Sequence, residues 1–317
     1  MKCNPPQQFL LSDSWKEFDH LIDFVTFFLL IRLSFSHYCL RIILVLLGDM
    51  PMPQNEVESS VDSSRPISVM INGISYQFSD IRPDTTLLQF LRLQQGLCGT
   101  KEGCAEGDCG ACTVVLGRER GGQIFYQPVN ACITLLPMVD KAIIRTVEGV
   151  AREDGALHPV QQALVDHHGS QCGFCTPGFV MSLFAGWLNG HSFIGDELDD
   201  LLSGNLCRCT GYGPIVRAAE SLANHSFQSW ENERISNEKR FLENCRGLPP
   251  LSYYVGGCFY TAPDSIDGVS MAYLTQPDAQ ILAGATDIGV WINKQNKKIL
   301  KFISIQDVSE LSKVTES

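Results

Sequence analysis

The sequence is short of basic charge. Across 317 residues, 24 lysines and arginines face 35 aspartates and glutamates, a formal net charge of −11. Such a chain repels phosphate backbones, and no basic stripe relieves the acidity, so nucleic acid is not an expected partner. Charged residues make up only 19% and hydrophobic residues 44%, which excludes a disordered or collagen-like chain. No internal repeat is visible. A secretory signal is also lacking: Asp13, Glu17, Asp19 and Asp23 crowd the place of a positive n-region, and no A-x-A-like cleavage site follows. The one long apolar run, residues 24–47, is broken by Arg32, His37 and Arg41. Its apolar side chains gain about 5–10 kcal/mol on insertion and its two arginines cost about 5–7 kcal/mol, so a membrane span is marginal. Residues 1–65 read as an N-terminal extension of doubtful status. A natural start at Met50 or Met52 is preferred there over a loosely docked or membrane-anchored segment. Residues 51–65 are polar, Ser-rich and linker-like.

Cysteine is what the chain has. Thirteen cysteines are too few for a small disulfide scaffold, and they are clustered, which reads as metal ligation. Around them the patterning is mixed. Residues 67–80 alternate about Asn72-Gly73, a hairpin signal. Residues 83–86 then offer a cap for the amphipathic LLQFLRLQQ stretch. Strands are expected at 113–116 and about 143–147, giving a small α+β domain over 66–150. Residues 151–225 hold four short helical segments, 226–250 read as a polar linker, and 251–317 show strand-like patches.

Cys104, Cys109 and Cys112 form C-x4-C-x2-C, and Cys132 follows 19 residues on. Four thiolates in this spacing suit a two-iron, two-sulfide cluster of the plant-ferredoxin type. Gly99, Gly103, Gly107 and Gly110 are expected to take positive φ and to bring backbone N–H groups to the sulfurs. Zinc favours two short-spaced pairs and fits less well. Cys98 is off the pattern, and Asp108 is a loop residue. A second set, Cys172-x2-Cys175 and Cys207-x-Cys209, precedes two helix starts. Thr176 with Pro177, and Thr210 with Pro214, are the expected caps, and the helix N-termini favour an anionic cluster. Zinc remains the main alternative there. His158 reads as structural or capping, and His167-His168 as a solvated helix end. Cys3, Cys39, Cys245 and Cys258 are bystanders.

In this order, and with the runs GTKEGCAEGDCGACTVVLG, HPVQQALVDHHGSQCGFCTPGFVMSL and GNLCRCTGYGPI, the chain resembles the xanthine dehydrogenase/molybdenum hydroxylase family. The resemblance implies a β-grasp ferredoxin-like domain, an all-α domain holding a second 2Fe-2S cluster, and the start of an α+β FAD-binding domain at 251–317. Within that last segment Ile281, Leu282, Ala283, Gly284, Ala285, Thr286 and Asp287 are similar to a first FAD loop. Sixty-seven residues are too few to bury a core and enclose a flavin, so the FAD site is expected to be incomplete and binding weak. The resemblance further implies a molybdopterin-binding large subunit as partner, with Gln161 and Cys209 touching the pterin. It also implies NAD as final acceptor and purine hydroxylation on the partner. The alternatives are an aldehyde- or carbon-monoxide-type hydroxylase, or a zinc-binding adaptor. Reduced thiols and cluster assembly point to the cytoplasm.

Overall fold

The computed structural model describes residues 64–224 and 229–314. The expectations for residues 1–63, the apolar run and the start site among them, fall outside these. Among the described residues no helix is long and apolar enough to cross a membrane.

The fold is α+β. The hairpin forms as expected: β1 (Ile67–Ile71) and β2 (Ile74–Phe78) pair antiparallel, joined by Asn72 (φ 48) and Gly73 (φ 85), the left-handed pair that a tight hairpin turn demands. Thr86 opens α1 (Leu87–Gln89) with a capping box to Gln89, and a π-helical turn (Phe90–Gln94) carries on from it. Three further strands, β3 (Thr113–Arg120), β4 (Gln123–Asn130) and β5 (Ala142–Arg145), complete a sheet in the order β2-β1-β5-β3-β4. Its one parallel pair is β1 with β5.

The four expected helices follow as α2 (Pro159–Asp166), α3 (Thr176–Asn189), α4 (Asp196–Leu202) and α5 (Gly213–Glu220). Their core is α3, buried from Gly178 through Trp187.

The stretch read as a linker holds a 17-residue helix, α6 (Ser229–Cys245). Phe241, Leu242 and Cys245 pack on Met70 and Ile143, so β1 is buried on both faces rather than one. Two of the helix's inward positions are Glu231 and Glu238, which made the segment look solvated. Both carboxylates bond the buried Arg145, Glu238 at 2.6 Å and Glu231 at 3.2 Å, and Tyr126 donates its hydroxyl to Glu238 at 2.5 Å. Burial alone would discharge Arg145, but the two carboxylates hold it firmly cationic.

The last segment builds a second sheet, β6-β7-β9-β8, from β6 (Leu251–Val255), β7 (Cys258–Ala262), β8 (Gln280–Leu282) and β9 (Lys301–Ser304). Helices α7 (Ile266–Thr275) and α8 (Ile288–Gln295) accompany it. The segment shares its core with its neighbour: Tyr253, Tyr260, Leu282, Ile288 and Phe302 are buried in one cluster with Leu87, Phe90, Cys132 and Leu135 of the first sheet's domain.

Candidate metal centres

The first cysteine loop runs from the π-helical turn to β3. Gly107 (φ 81) and Gly110 (φ 68) take the left-handed backbone expected of them, as does Ala105 (φ 57). Gly99 and Gly103 do not; their service is clearance. A Cβ on Gly103 would stand 2.8 Å from Cys109 Sγ, and one on Gly99 2.4 Å from Val147 Cγ1. The curled loop turns the N–H groups of Glu106, Asp108 and Cys109 onto Cys104 Sγ at 3.5, 3.3 and 3.3 Å. Burial works against ionisation of that thiol, yet these donors bring its pKa down to about 7. Cys132 is delivered by the turn after β4, where Asn130 Nδ2 bonds Gly107 O at 2.7 Å and ties the turn to the loop. Cys112 and Cys132 are buried and adjacent. That contact lowers the pKa of Cys112, and with desolvation it pushes Cys132 up.

The second set is held between two helix starts. Cys175 is itself the N-cap residue of α3, and Tyr212 (φ 67) that of α5; neither helix has a side-chain cap bond. Pro177 and Pro214 stand in the first turns as expected, but the two threonines act elsewhere. Thr176 Oγ1 pairs with Ser170 Oγ at 2.7 Å. Thr210 Oγ1 lies 3.2 Å from Cys207 Sγ and accepts from Tyr212 N. Cys207 N in turn donates to the Tyr212 hydroxyl at 3.0 Å. Cys172 lies beside Cys209, and Cys175 beside Cys207. Burial, then Cys207, push Cys175 up to about 12. Cys172 is lowered chiefly by the Phe174 N–H.

Among the described residues no group of three or more His, Cys, Asp or Glu closes around a single ion. The four thiols of each site lie near one another, Cys104 beside Cys109 and Cys112 beside Cys132, then Cys172 beside Cys209 and Cys175 beside Cys207. A two-iron cluster asks for two thiolates on each iron, and aimed backbone N–H groups offset its negative charge. A lone tetrahedral zinc asks for four thiols converging on one point. The donor set fits the cluster.

The two loops are bonded directly to each other, which sequence reasoning missed. Leu206 N, one residue before Cys207, donates to Cys109 O at 3.0 Å. Asn205 Nδ2 bonds Gly110 O at 3.0 Å, and its Oδ1 accepts from Ser182 Oγ at 2.6 Å. The seam admits no side chain: a Cβ on Gly178 would fall 2.2 Å from Gly110 O, and one on Gly110 2.1 Å from Gly204 O. Asn205 is buried though polar, and nothing local in the sequence marked it.

Exposure is one-sided. Cys172 and Cys209 are exposed, with Phe174, Leu206, Tyr212, Leu157 and Val165 as exposed apolar neighbours in the same helical region. A cavity of about 440 Å³ opens beside them, lined by Gln161, Leu164, Gly173, Thr176 and Pro177 among others. Gln161 Oε1 accepts from His158 N in a capping box. His158 caps α2 through Nδ1, which accepts from Val160 N at 3.1 Å. Its ring is fully buried among Phe184, Trp187 and Trp230, and desolvation lowers its pKa to about 3. In the last segment Leu282 ends β8 buried, Ala285 (φ 57) turns the chain, and Ile281, Ala283, Gly284, Thr286 and Asp287 are exposed ahead of α8. Asp287 is the N-cap position of α8 without a side-chain cap bond.

Three family descriptions match the chain: a 2Fe-2S iron-sulfur cluster binding domain over residues 69–136, a 2Fe-2S binding domain over 146–220, and an FAD binding domain in molybdopterin dehydrogenase over 253–317. The chain is 43% identical over 155 residues to the xanthine dehydrogenase/oxidase of Gallus gallus, covering 48% of this chain and 11% of that protein. It is 38% identical over 201 residues to aldehyde oxidase 1 of Macaca fascicularis, covering 60% of this chain and 15% of that protein. The chain thus spans a small part of the length of these relatives. Among solved structures, a chain of quinoline 2-oxidoreductase from Pseudomonas putida 86 aligns at 34% identity and a TM-score of 0.44, over 55% of this chain and 96% of that one.

Proposed function

Since the chain belongs to the molybdenum hydroxylase family, as its iron–sulfur and flavin-domain part, we propose that it is the electron-transfer component of a xanthine dehydrogenase-type oxidoreductase. In this reading it stands between a molybdopterin centre in a partner subunit and an FAD that reduces NAD, and the partner hydroxylates a purine. Each cluster, when bound, supplies a one-electron carrier. Cys104, Cys109, Cys112 and Cys132 hold the first, and Cys172, Cys175, Cys207 and Cys209 the second. The observation that carries the reading is the gathering of eight thiols in two sets of four, on loops that bond each other through Leu206 N and Cys109 O.

The chain's own residues then have separate tasks. The N–H groups of Glu106, Asp108 and Cys109 stabilise charge on the first site. Cys172 and Cys209 face outward, which suits a partner seated over the second site. Gln161 and Cys209 are the proposed contacts to the partner's pterin. Ile281 through Asp287 form the proposed FAD loop, its exposed backbone and uncapped helix start suited to a diphosphate. A cytoplasmic location belongs to the same reading, since iron–sulfur ligation needs thiols that stay reduced. An aldehyde-oxidising enzyme is the second reading, favoured by the comparable identity to aldehyde oxidase 1.

The test is metal analysis of the purified full chain beside Cys104→Ser and Cys172→Ser. Each substitution is expected to remove one cluster, about half of the iron and sulfide, and to leave the other cluster's reversible bleaching by dithionite intact. A chain that holds zinc and has no visible absorption contradicts the proposal.

A further inference from the structure

Helix α8, which leads out of the proposed FAD loop, lies against the first cysteine loop at three points. Asn293 Nδ2 donates to Cys132 O at 2.6 Å and to Ala105 O at 3.1 Å. One carbonyl belongs to a ligand cysteine, and the other follows Cys104 directly, so a single carboxamide ties together the two halves of the site. Gly289 lies flush on the next residue, with its absent Cβ 2.7 Å from both Cβ and O of Ile133. Lys294 Nζ is 3.8 Å from the Glu106 carboxylate, beside an N–H that points at Cys104 Sγ.

We propose that Asn293 is a positioning residue for the first cluster: its amide fixes the Ala105 and Cys132 segments onto α8, so that cluster and FAD loop are held as one unit. The inference rests on the reading that Cys104, Cys109, Cys112 and Cys132 bind a two-iron cluster. Ala105 gives the arrangement a reason beyond packing. It takes the left-handed backbone without being glycine (φ 57), and its carbonyl is one that Asn293 holds. Second-sphere hydrogen bonds of this kind set ligand orientation and charge compensation at a metal. The Asn293 N–H groups offset the negative ends of the two carbonyls that flank the proposed cluster, and Lys294 adds a positive charge paired with Glu106.

The experiment uses the full chain with Asn293→Asp, which keeps the shape and replaces the donor with an acceptor. The readouts are iron loss to a chelator and the midpoint potential of each cluster followed by electron paramagnetic resonance. The first cluster is expected to lose iron about 10- to 100-fold faster and to shift to lower potential, with the second cluster unchanged in both. Asn293→Gln, which keeps the donor, is expected to recover part of each change. Wild-type values for the first cluster in Asn293→Asp would overturn the proposal. Equal disturbance of both clusters would also overturn it, by showing a general loss of fold. If Asn293→Asp does not fold, Gly289→Ala decides: a selective change at the first cluster supports the proposal, and no change refutes it. Wild-type chain without a two-iron cluster at Cys104 and its partners would instead sink the underlying reading, a result distinct from every variant outcome.

Discussion

Gly178→Ala tests the seam between the two cysteine loops. The residue sits in the first turn of α3, three positions after Cys175, with ordinary helical backbone. By propensity alone, alanine there should stabilise the helix by about 1 kcal/mol. The structure says otherwise. The new methyl would stand 2.2 Å from Gly110 O, 3.1 Å from Gly110 C and 2.9 Å from Asn205 Nδ2, and the first two are backbone atoms of a loop held by Asn130 and Asn205. To reach a normal contact the loop must retreat by roughly 1 Å. Overpacking of this kind costs about 1–3 kcal/mol, and weakening the Asn205 bond to Gly110 adds about 1 kcal/mol. The net expectation is a loss of about 1–3 kcal/mol, a fall of roughly 3–10 °C in the unfolding midpoint for a body of this size. Calorimetry of the iron-loaded variant and wild type at one scan rate measures it. A midpoint at or above wild type would mean that propensity prevails and the seam is not rigid.

Other expectations concern the buried charges. Arg145→Met leaves Glu238 buried without its cation and Glu231 with only Arg234, 3.5 Å away, and should cost about 3–5 kcal/mol in denaturant unfolding. Burial already raises the Glu231 pKa, and losing Arg145 raises it further. A carboxyl raised in the folded state adds stability below its unfolded pKa and loses it as pH rises, so the variant's deficit should be smaller near pH ~4 than near pH ~8. His158 is the opposite case: its folded pKa is about 3, so wild-type stability should fall as pH drops from the ordinary histidine value toward 3. His158→Asn keeps an N-cap acceptor and removes the titration, so its pH profile should be flatter there. An unchanged slope would refute that role.

How much was legible follows from where the signal lay. The eight cysteines proposed as ligands stood out because iron coordination constrains spacing along the chain, and the hairpin was readable because Asn72-Gly73 satisfies a backbone demand locally. β4 was missed: QIFYQPVN has one buried residue, Tyr126, and a proline that an edge strand tolerates. Helix α6 was missed because its inward positions include Glu231 and Glu238, whose partner Arg145 lies 86 and 93 residues away. The glycines were half understood, since clearance at Gly103 and Gly178 depends on which atoms the fold brings close. Asn205 and Asn293 act across 95 and 161 residues, a separation at which a lone asparagine carries no local pattern.

The most direct test is a reductive titration of the iron-loaded full chain, with iron and sulfide assayed and the reduced sample examined by electron paramagnetic resonance. The account predicts about four irons, about four sulfides, two electrons taken up per chain and two distinguishable signals. A zinc-loaded, colourless chain that takes up no electrons would contradict it.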